Sequence, residues 1–204
     1  MAQVTSGFRA ILSSPKVYDV FQDLMGAQSI RAGLVRDRVR PFPGCRILDI
    51  GCGTARILDY LPDVEYWGFD PSQRYIEEAT RRYRKRGNFR CAIVEQAVVD
   101  DLGPFDVVIA IGVLHHLDDQ QASTLTKLAW SALQPRGRLI TIDPCFAKDQ
   151  NSIARLLISR DRGQNVRYGE QYCRLATGEF LHVSGEVRHR GWVPYTHWIM
   201  ECQK

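Results

Sequence analysis

Two carboxylates and two glycines carry the clearest chemistry in this chain. Asp49-Ile50-Gly51-Cys52-Gly53 closes a short apolar run that begins at Arg46, and Asp70 ends the next run, Val64 to Asp70. Glycine lets the backbone turn sharply and approach a ligand closely, but a glycine loop alone does not identify a nucleotide. The third glycine of a dinucleotide fingerprint would fall at Arg56, whose side chain obstructs close helix packing and crowds a diphosphate. Asp49, just before the glycines, would repel a diphosphate and suits a ligand bearing an ammonium group. Asp70, at a strand tip, can accept both hydroxyls of a ribose. The ligand so described is a nucleoside that is cationic and free of phosphate.

The elements that position these residues alternate along the chain. Arg46 to Ile50 reads as a buried strand, Arg56 to Leu61 as the start of a helix, and Val64 to Asp70 as a second strand. Ser72 to Arg86 has helical spacing, with Ser72 as N-cap and Gly87 as the stop. Asn88 to Val94 is a third strand. Asp106 to Ile111 is nearly all apolar, as a strand buried on both faces should be. Asp118 to Leu133 is a helix with an inner stripe of Leu125, Leu128, Ala129 and Ala132. A turn at Pro135-Arg136-Gly137 leads into a fifth strand, Gly137 to Asp143, and Glu179 to His189 and Tyr195 to Cys202 read as a closing antiparallel hairpin. Such alternation predicts an α/β protein, a Rossmann-like doubly wound sheet with helices on both faces and the ligand at the carboxyl ends of the strands. The expected organisation is one domain, 1–204, with a cofactor-binding core at 44–144. A helical segment at 1–43 and an insertion at 145–175 would cover an acceptor pocket.

S-adenosylmethionine is a ligand of the required kind, and four segments make the connection specific. Ile47-Leu-Asp-Ile-Gly-Cys-Gly-Thr-Ala55, Gly68-Phe-Asp-Pro-Ser72, Phe105-Asp-Val-Val-Ile-Ala-Ile-Gly-Val-Leu-His-His-Leu117 and Leu133-Gln-Pro-Arg-Gly-Arg-Leu139 resemble, in order and spacing, successive motifs of class I S-adenosylmethionine-dependent methyltransferases of the small-molecule type. The resemblance implies a seven-stranded sheet, mostly parallel with a reversed last strand. It also implies that Asp49, Gly51, Cys52 and Gly53 hold the methionine end, and that Asp70 binds the ribose. Pro71 and Ser72 would flank the adenine, Ile111 would also belong to the cofactor site, and either Glu95 or Gln96 would supply the polar group near the adenine amino nitrogen. His115 and His116 follow the fourth strand, on the side expected for the methyl acceptor. Either could act as a general base, because imidazole titrates near neutrality, or both could simply pack the next helix. Methyl transfer needs little beyond alignment, since the cofactor brings an activated methyl group. The acceptor pocket is expected from Tyr18 on the N-terminal segment, Arg162, Arg167 and Tyr168 in the insertion, and His197 on the last strand. Arginine there would suit a carboxylate, phosphate or sugar. Cys145, after Asp143-Pro144, is out of place for a cytosine-methylating nucleophile and reads as a packed, inert thiol.

Composition narrows the alternatives. Of 204 residues, 45% are hydrophobic and 25% charged, as in an ordinary globular protein. The formal charge is only +4, and the Arg81–Arg90 cluster falls at a helix end, where cations suit the macrodipole. A nucleic-acid partner is therefore not expected, although an RNA methyltransferase or binding module using that cluster is the main alternative; a nicotinamide-dependent oxidoreductase is more remote. Six cysteines without a C-x-x-C pair fit neither a disulfide framework nor a metal site. No apolar run approaches the ~20 residues of a membrane span. The expected setting is cytoplasmic, as a monomer or homodimer acting on a small-molecule methyl acceptor.

Overall fold

In a computed structural model, the structure describes residues 27–161, 163–190 and 194–204. Tyr18, Arg162 and the Val17 to Met25 helical patch lie outside the described residues, as does most of the turn expected between the last two strands. The described chain divides into two compact units, 27–94 and 95–204.

The first unit opens with α1 (Ala27–Leu34), which widens into a π turn (Val35–Val39). Three parallel strands follow: β1 (Arg46–Ile50) pairs β2 (Glu65–Asp70), and β2 pairs β3 (Asn88–Cys91). The β1 strand is buried at four of its five positions because it consists of Ile47, Leu48 and Ile50 with one carboxylate, Asp49, among them. The segment after the glycine loop forms only a 3-10 turn, Arg56–Asp59. The helix α2 (Gln73–Tyr83) begins after Ser72 as expected, but the Ser72 side chain makes no capping bond. It ends before Gly87, where Arg84 takes φ 46 and a 3-10 turn replaces the last α-turn.

The second unit begins with α3 (Gln96–Leu102), too short to show a period in the sequence, and β4 (Phe105–Ile111). A capping box at Asp118 starts α4 (Asp119–Ala132): its carboxylate accepts from Gln121 N at 2.8 Å, and Gln121 Oε1 accepts from Asp118 N at 3.4 Å. Leu125, Ala129 and Ala132 are buried as the periodicity requires, whereas Ala122 and Thr126, rather than Leu128, complete the inner face. The next strand, β5 (Leu133–Phe146), is twice the expected length. Its first residues contain Pro135-Arg136-Gly137, which makes a kink within the strand instead of a turn before it. Arg136 adopts φ 67, and the β4–β5 register shifts between Phe105 and Val107.

Beyond β5 come α5 (Ser152–Ser159), the two-residue β6 (Arg167–Tyr168), α6 (Gly169–Arg174), β7 (His182–His189) and β8 (Thr196–Gln203). β4, β5 and β6 are parallel; β8 runs antiparallel to β5 and pairs β7. The fold is mixed α/β with helices around mostly parallel strands and the reversed C-terminal strand that the sequence predicts. All seven expected strands are present, and β6 is an eighth.

The hairpin owes its packing to missing side chains. A Cβ at Gly185 would lie 2.1 Å from the Trp198 ring, and one at Gly169 2.4 Å from the same ring. Trp198 therefore fits only because β7 and α6 each present a bare backbone to it. Gly185→Ala should lower stability by about 1–3 kcal/mol through overpacking, read as a fall in the urea midpoint without a change in slope. An unchanged midpoint would show that the Trp198 ring moves aside at no cost.

Candidate active site

In the first unit, β1 and β2 carry their carboxylates to one glycine loop. Asp49 is 2% exposed. Tyr66 Oη donates to its Oδ2 at 2.5 Å, whereas Oδ1 is buried and has no hydrogen-bond partner among the described residues. Burial pushes the Asp49 carboxyl up to about 7; the Tyr66 bond opposes the shift and the nearby Asp70 charge adds to it. Asp70 Oδ2 accepts from Gly53 N at 3.0 Å and Oδ1 from Ser72 N at 2.8 Å. Burial still outweighs these two bonds and raises its pKa. Each carboxylate oxygen has two lone pairs, so Asp70 keeps acceptor capacity on both.

The loop itself is left-handed at three points: Gly51 (φ 76), Gly53 (φ 54) and Ala55 (φ 55). It is anchored by Gly51 N and Cys52 N, which both donate to Phe69 O. Cys52 packs over Gly68, where a Cβ would come within 2.9 Å of its sulfur. Burial pushes the Cys52 thiol well up, so it stays neutral. Pro71 stands beside Cys91, whose thiol lies 3.6 Å from Pro71 O. Ile93, just past β3, is 62% exposed. One isoleucine after a short strand has no periodic signal in the sequence.

Two acidic groups beside a glycine loop are hostile to a diphosphate. An orphaned buried carboxylate oxygen and a strand-tip carboxylate with free lone pairs suit an ammonium group and a ribose. The residues present thus fit S-adenosylmethionine. Glu95 and Gln96 separate on geometry. The Gln96 side chain donates to Asp100 at 2.8 Å and accepts from Ser131 at 3.0 Å, which ties α3 to α4, whereas Glu95 is exposed just before α3.

The second unit holds a buried histidine between carboxylates. β4 ends at Ile111, and Gly112 (φ 68) turns the chain into a 3-10 turn, Leu114–His116. His115 Nδ1 lies 2.8 Å from Asp143 Oδ1, which also accepts from the His115 backbone N at 3.1 Å. On its other side, His115 Nε2 lies 3.4 Å from Asp161 Oδ1. Asp161 in turn accepts from Tyr195 Oη and, at 2.8 Å, from Gly163 N. Burial alone would lower the His115 pKa; the bonds and charges of Asp143 and Asp161 outweigh it and push it up to about 9. Burial would likewise raise Asp161, but the His115 cation and the Tyr195 and Gly163 bonds hold it well below the usual carboxylate range. At neutral pH His115 is an imidazolium with both nitrogens committed, so it has no lone pair with which to take a proton. His116 stacks on it at 4.0 Å between ring centroids and is half-buried.

The expected acceptor residues fall into distinct places. Arg167 is 7% exposed and does not face a ligand. It donates to Leu114 O, Asn165 O and Leu117 O and to the Asp119 carboxylate, all within 2.9 Å. Its role in this structure is to hold the turn that carries the two histidines. Tyr168 is 41% exposed, with its ring 5.8 Å from that of Phe146. His197 is half-buried, 5.1 Å from the Tyr195 ring, and burial together with the Arg190 and His115 charges pushes its pKa down to about 4. Cys145 is fully buried, and burial raises its thiol pKa to about 12, which leaves it inert. Asp143 and Asp161 were not singled out beforehand. Asp143 had a readable signal, an acid at the tip of an apolar strand like Asp49 and Asp70; Asp161 sits in a polar loop and had none. The Arg81–Arg90 cluster is partly engaged: Arg81 and Arg82 pair with Glu78, Arg86 donates to Leu61 O, and Arg90 lies over the Trp67 ring at 4.9 Å.

Comparisons with known proteins bear on the fold and the family resemblance. Residues 48–139 match the family model described as a methyltransferase domain. A ubiquinone biosynthesis O-methyltransferase of Maricaulis maris is 32% identical over 111 residues, 48% of this chain and 44% of that protein. Its counterpart in Methylocella silvestris is 37% identical over 105 residues, 48% of this chain and 41% of that one. The chain thus spans less than half the length of these relatives. The crystal structure of the N-methyltransferase NodS from Bradyrhizobium japonicum, in complex with S-adenosylhomocysteine, aligns with a TM-score of 0.63 at 17% identity, covering 90% of this chain and 87% of that one.

The buried ion group makes stability depend on pH. The His115 pKa rises from its ordinary 6.5 to about 9, so its contribution is complete below about pH 6.5 and is lost as pH climbs through 9. The urea midpoint should therefore fall between pH 7 and pH 9.5. His115→Gln should lower stability by about 3–5 kcal/mol, because the buried Asp143 and the half-buried Asp161 carboxylates lose their cation, and should flatten that alkaline slope. An equally steep slope in His115→Gln, or in the milder Asp161→Asn, would assign the pH dependence to another group.

Proposed function

We propose, for a chain with the fold and ordered motifs of the class I S-adenosylmethionine-dependent methyltransferases, that it moves a methyl group to an oxygen or nitrogen of a small polar acceptor. The observation that carries this reading is the pair of buried carboxylates at the glycine loop, one with an oxygen left unpartnered. When bound, S-adenosylmethionine supplies a methyl group already activated on a sulfonium. The chain's residues then have three tasks. Asp49 and the backbone of Gly51 to Gly53 bind the methionine end. Asp70 accepts from the ribose hydroxyls, with Pro71, Ser72 and Ile111 beside the adenine and Glu95, rather than the committed Gln96, near its amino group. Positioning of the acceptor falls to the second unit, where the His115 imidazolium fixes Asp161 and through it Tyr195.

His115 on this reading is a positioning residue, and His116 is the only one of the two histidines left for proton transfer. The similarity to two O-methyltransferases favours an oxygen acceptor. The chain is proposed to work in a reducing, cytoplasmic setting: all six cysteines are free, and no helix among the described residues is long and apolar enough to cross a membrane.

Two measurements test the cofactor assignment. Thermal shift should rise with S-adenosylhomocysteine and not with NAD, and Asp70→Ala should abolish the rise; normal binding by that variant would overturn the ribose assignment. The Asp49 carboxyl at about 7 must be ionised to hold an ammonium group, so S-adenosylhomocysteine should bind more weakly as pH falls from 8 to 6 and release protons on binding. Asp49→Asn should bind weakly at every pH and show no such release. A wild-type affinity that does not vary with pH would remove Asp49 from the ammonium site.

A further inference from the structure

A cleft in the second unit holds a guanidinium that none of the expected anion-binding residues supplies. It has a volume of about 160 Å³ and lies between the start of α5 and the facing ends of β7 and β8, with Asp149, Asn151, Arg190, Pro194 and Tyr195 in its wall. That volume is below the ~300–1,000 Å³ of a whole ligand pocket, and suits one small end of a larger molecule.

The polar groups of the cleft are unequal in what they offer. Asp149 is answered by His189, whose Nε2 lies 3.2 Å from its Oδ2. Asn151 caps α5, with its side chain accepting from Ile153 N at 2.8 Å. Tyr195 has its hydroxyl hydrogen on Asp161, a carboxylate kept ionised by His115, so towards a ligand the phenol oxygen can only accept. Arg190 is the exception. Its backbone N–H bonds Tyr195 O, but its guanidinium makes no hydrogen bond or ion pair among the described residues although it is half-buried. A half-buried guanidinium without a partner is an unanswered charge, and a carboxylate or phosphate answers it with two parallel bonds. Arg167 cannot do this, because four hydrogen bonds to backbone carbonyls and Asp119 already hold its guanidinium.

We propose that this cleft is the subsite for the anionic end of the methyl acceptor, with Arg190 as its cation and Tyr195 as the acceptor for a neighbouring ligand hydroxyl. The ligand class is then a small hydroxylated carboxylate or phosphate. The inference rests on the methyltransferase reading for the word acceptor; binding to the cleft can be measured without turnover.

Salicylate is a suitable probe, with benzoate lacking the hydroxyl and salicylamide lacking the charge. Binding is measured by calorimetry on the full chain saturated with S-adenosylhomocysteine, whose own thermal shift reports the cofactor site separately. Salicylate should bind better than either analogue, and Arg190→Gln should weaken it about 10- to 100-fold, the range for a hydrogen-bonded charge. The same variant should leave salicylamide and S-adenosylhomocysteine unchanged. Arg190→Lys, which keeps the charge without the fork, should fall between. Equal salicylate affinity in wild type and Arg190→Gln, or no salicylate binding to a chain that does bind S-adenosylhomocysteine, would overturn the subsite. Failure of S-adenosylhomocysteine to bind would instead overturn the cofactor reading, whatever salicylate does.

Discussion

Asp49, Asp70 and Asp143 sit at or near the carboxyl ends of apolar strands and are each less than a tenth exposed, so most of the surrounding structure serves to answer three buried charges. An ionised carboxylate in a low-dielectric interior is tolerated only with hydrogen bonds or a counter-charge. Each is answered differently. Asp70 takes two backbone N–H groups, which it obtains because the glycine loop and the start of α2 both point amides at it. Asp143 takes a cation, His115, together with that residue's own backbone N–H. Asp49 has only a phenol on one oxygen, and its pKa rises to about 7 in consequence. The least satisfied of the three is the one whose expected partner is a ligand ammonium group.

The same logic organises the segment after β5. Asp161, Asn165 and Arg167 lie on the His115 turn through several independent contacts. Asp161 pairs the imidazolium, Asn165 N donates to His115 O at 3.0 Å, and Arg167 takes the carbonyls of Leu114 and Leu117. Gly163 has no side chain because there is no room for one: a Cβ would meet the His115 ring at 2.0 Å. The histidine is therefore less a reagent than the fastening of an insertion, and its high pKa follows from having acids on both sides.

That fastening changes the meaning of the arginines. In sequence, a run of Arg, Asp, Gln and Asn in an insertion suggests a surface that grips an anion. In the structure, Arg167 is buried and its planar fork matches backbone carbonyls at two turns of chain. Arginine tolerates burial because it stays charged and can distribute that charge over five donors. Arg190, at the end of a strand, is a half-buried cation with no hydrogen-bond or ion-pair partner among the described residues, where the sequence shows only one more basic residue among many.

The placement of two carboxylates at one glycine loop was legible in the sequence by itself. Burial of β1 and β4 follows from runs of Ile, Leu and Val, strand tips follow from where those runs stop, and a carboxylate at a strand tip is a local fact of residue type and position. The glycines, Asp49 and Asp70 could therefore be read together with Arg56 as a phosphate-free nucleoside site, and the reversed last strand was read from the closing hairpin. Only the tertiary structure decided the partnerships. Asp143 and Asp161 reach His115 from 28 and 46 residues away in the chain, and Tyr195 reaches Asp161 from 34, and no local period encodes such a meeting. Equally, Gln96 and Glu95 are alike on paper and differ only because Ser131 of another helix takes one of them. Hydrophobic pattern acts along the chain and is visible there. Hydrogen-bond pairing and charge compensation act through space, so which histidine is buried as a cation, and which arginine remains for a ligand, is settled only once the chain is folded.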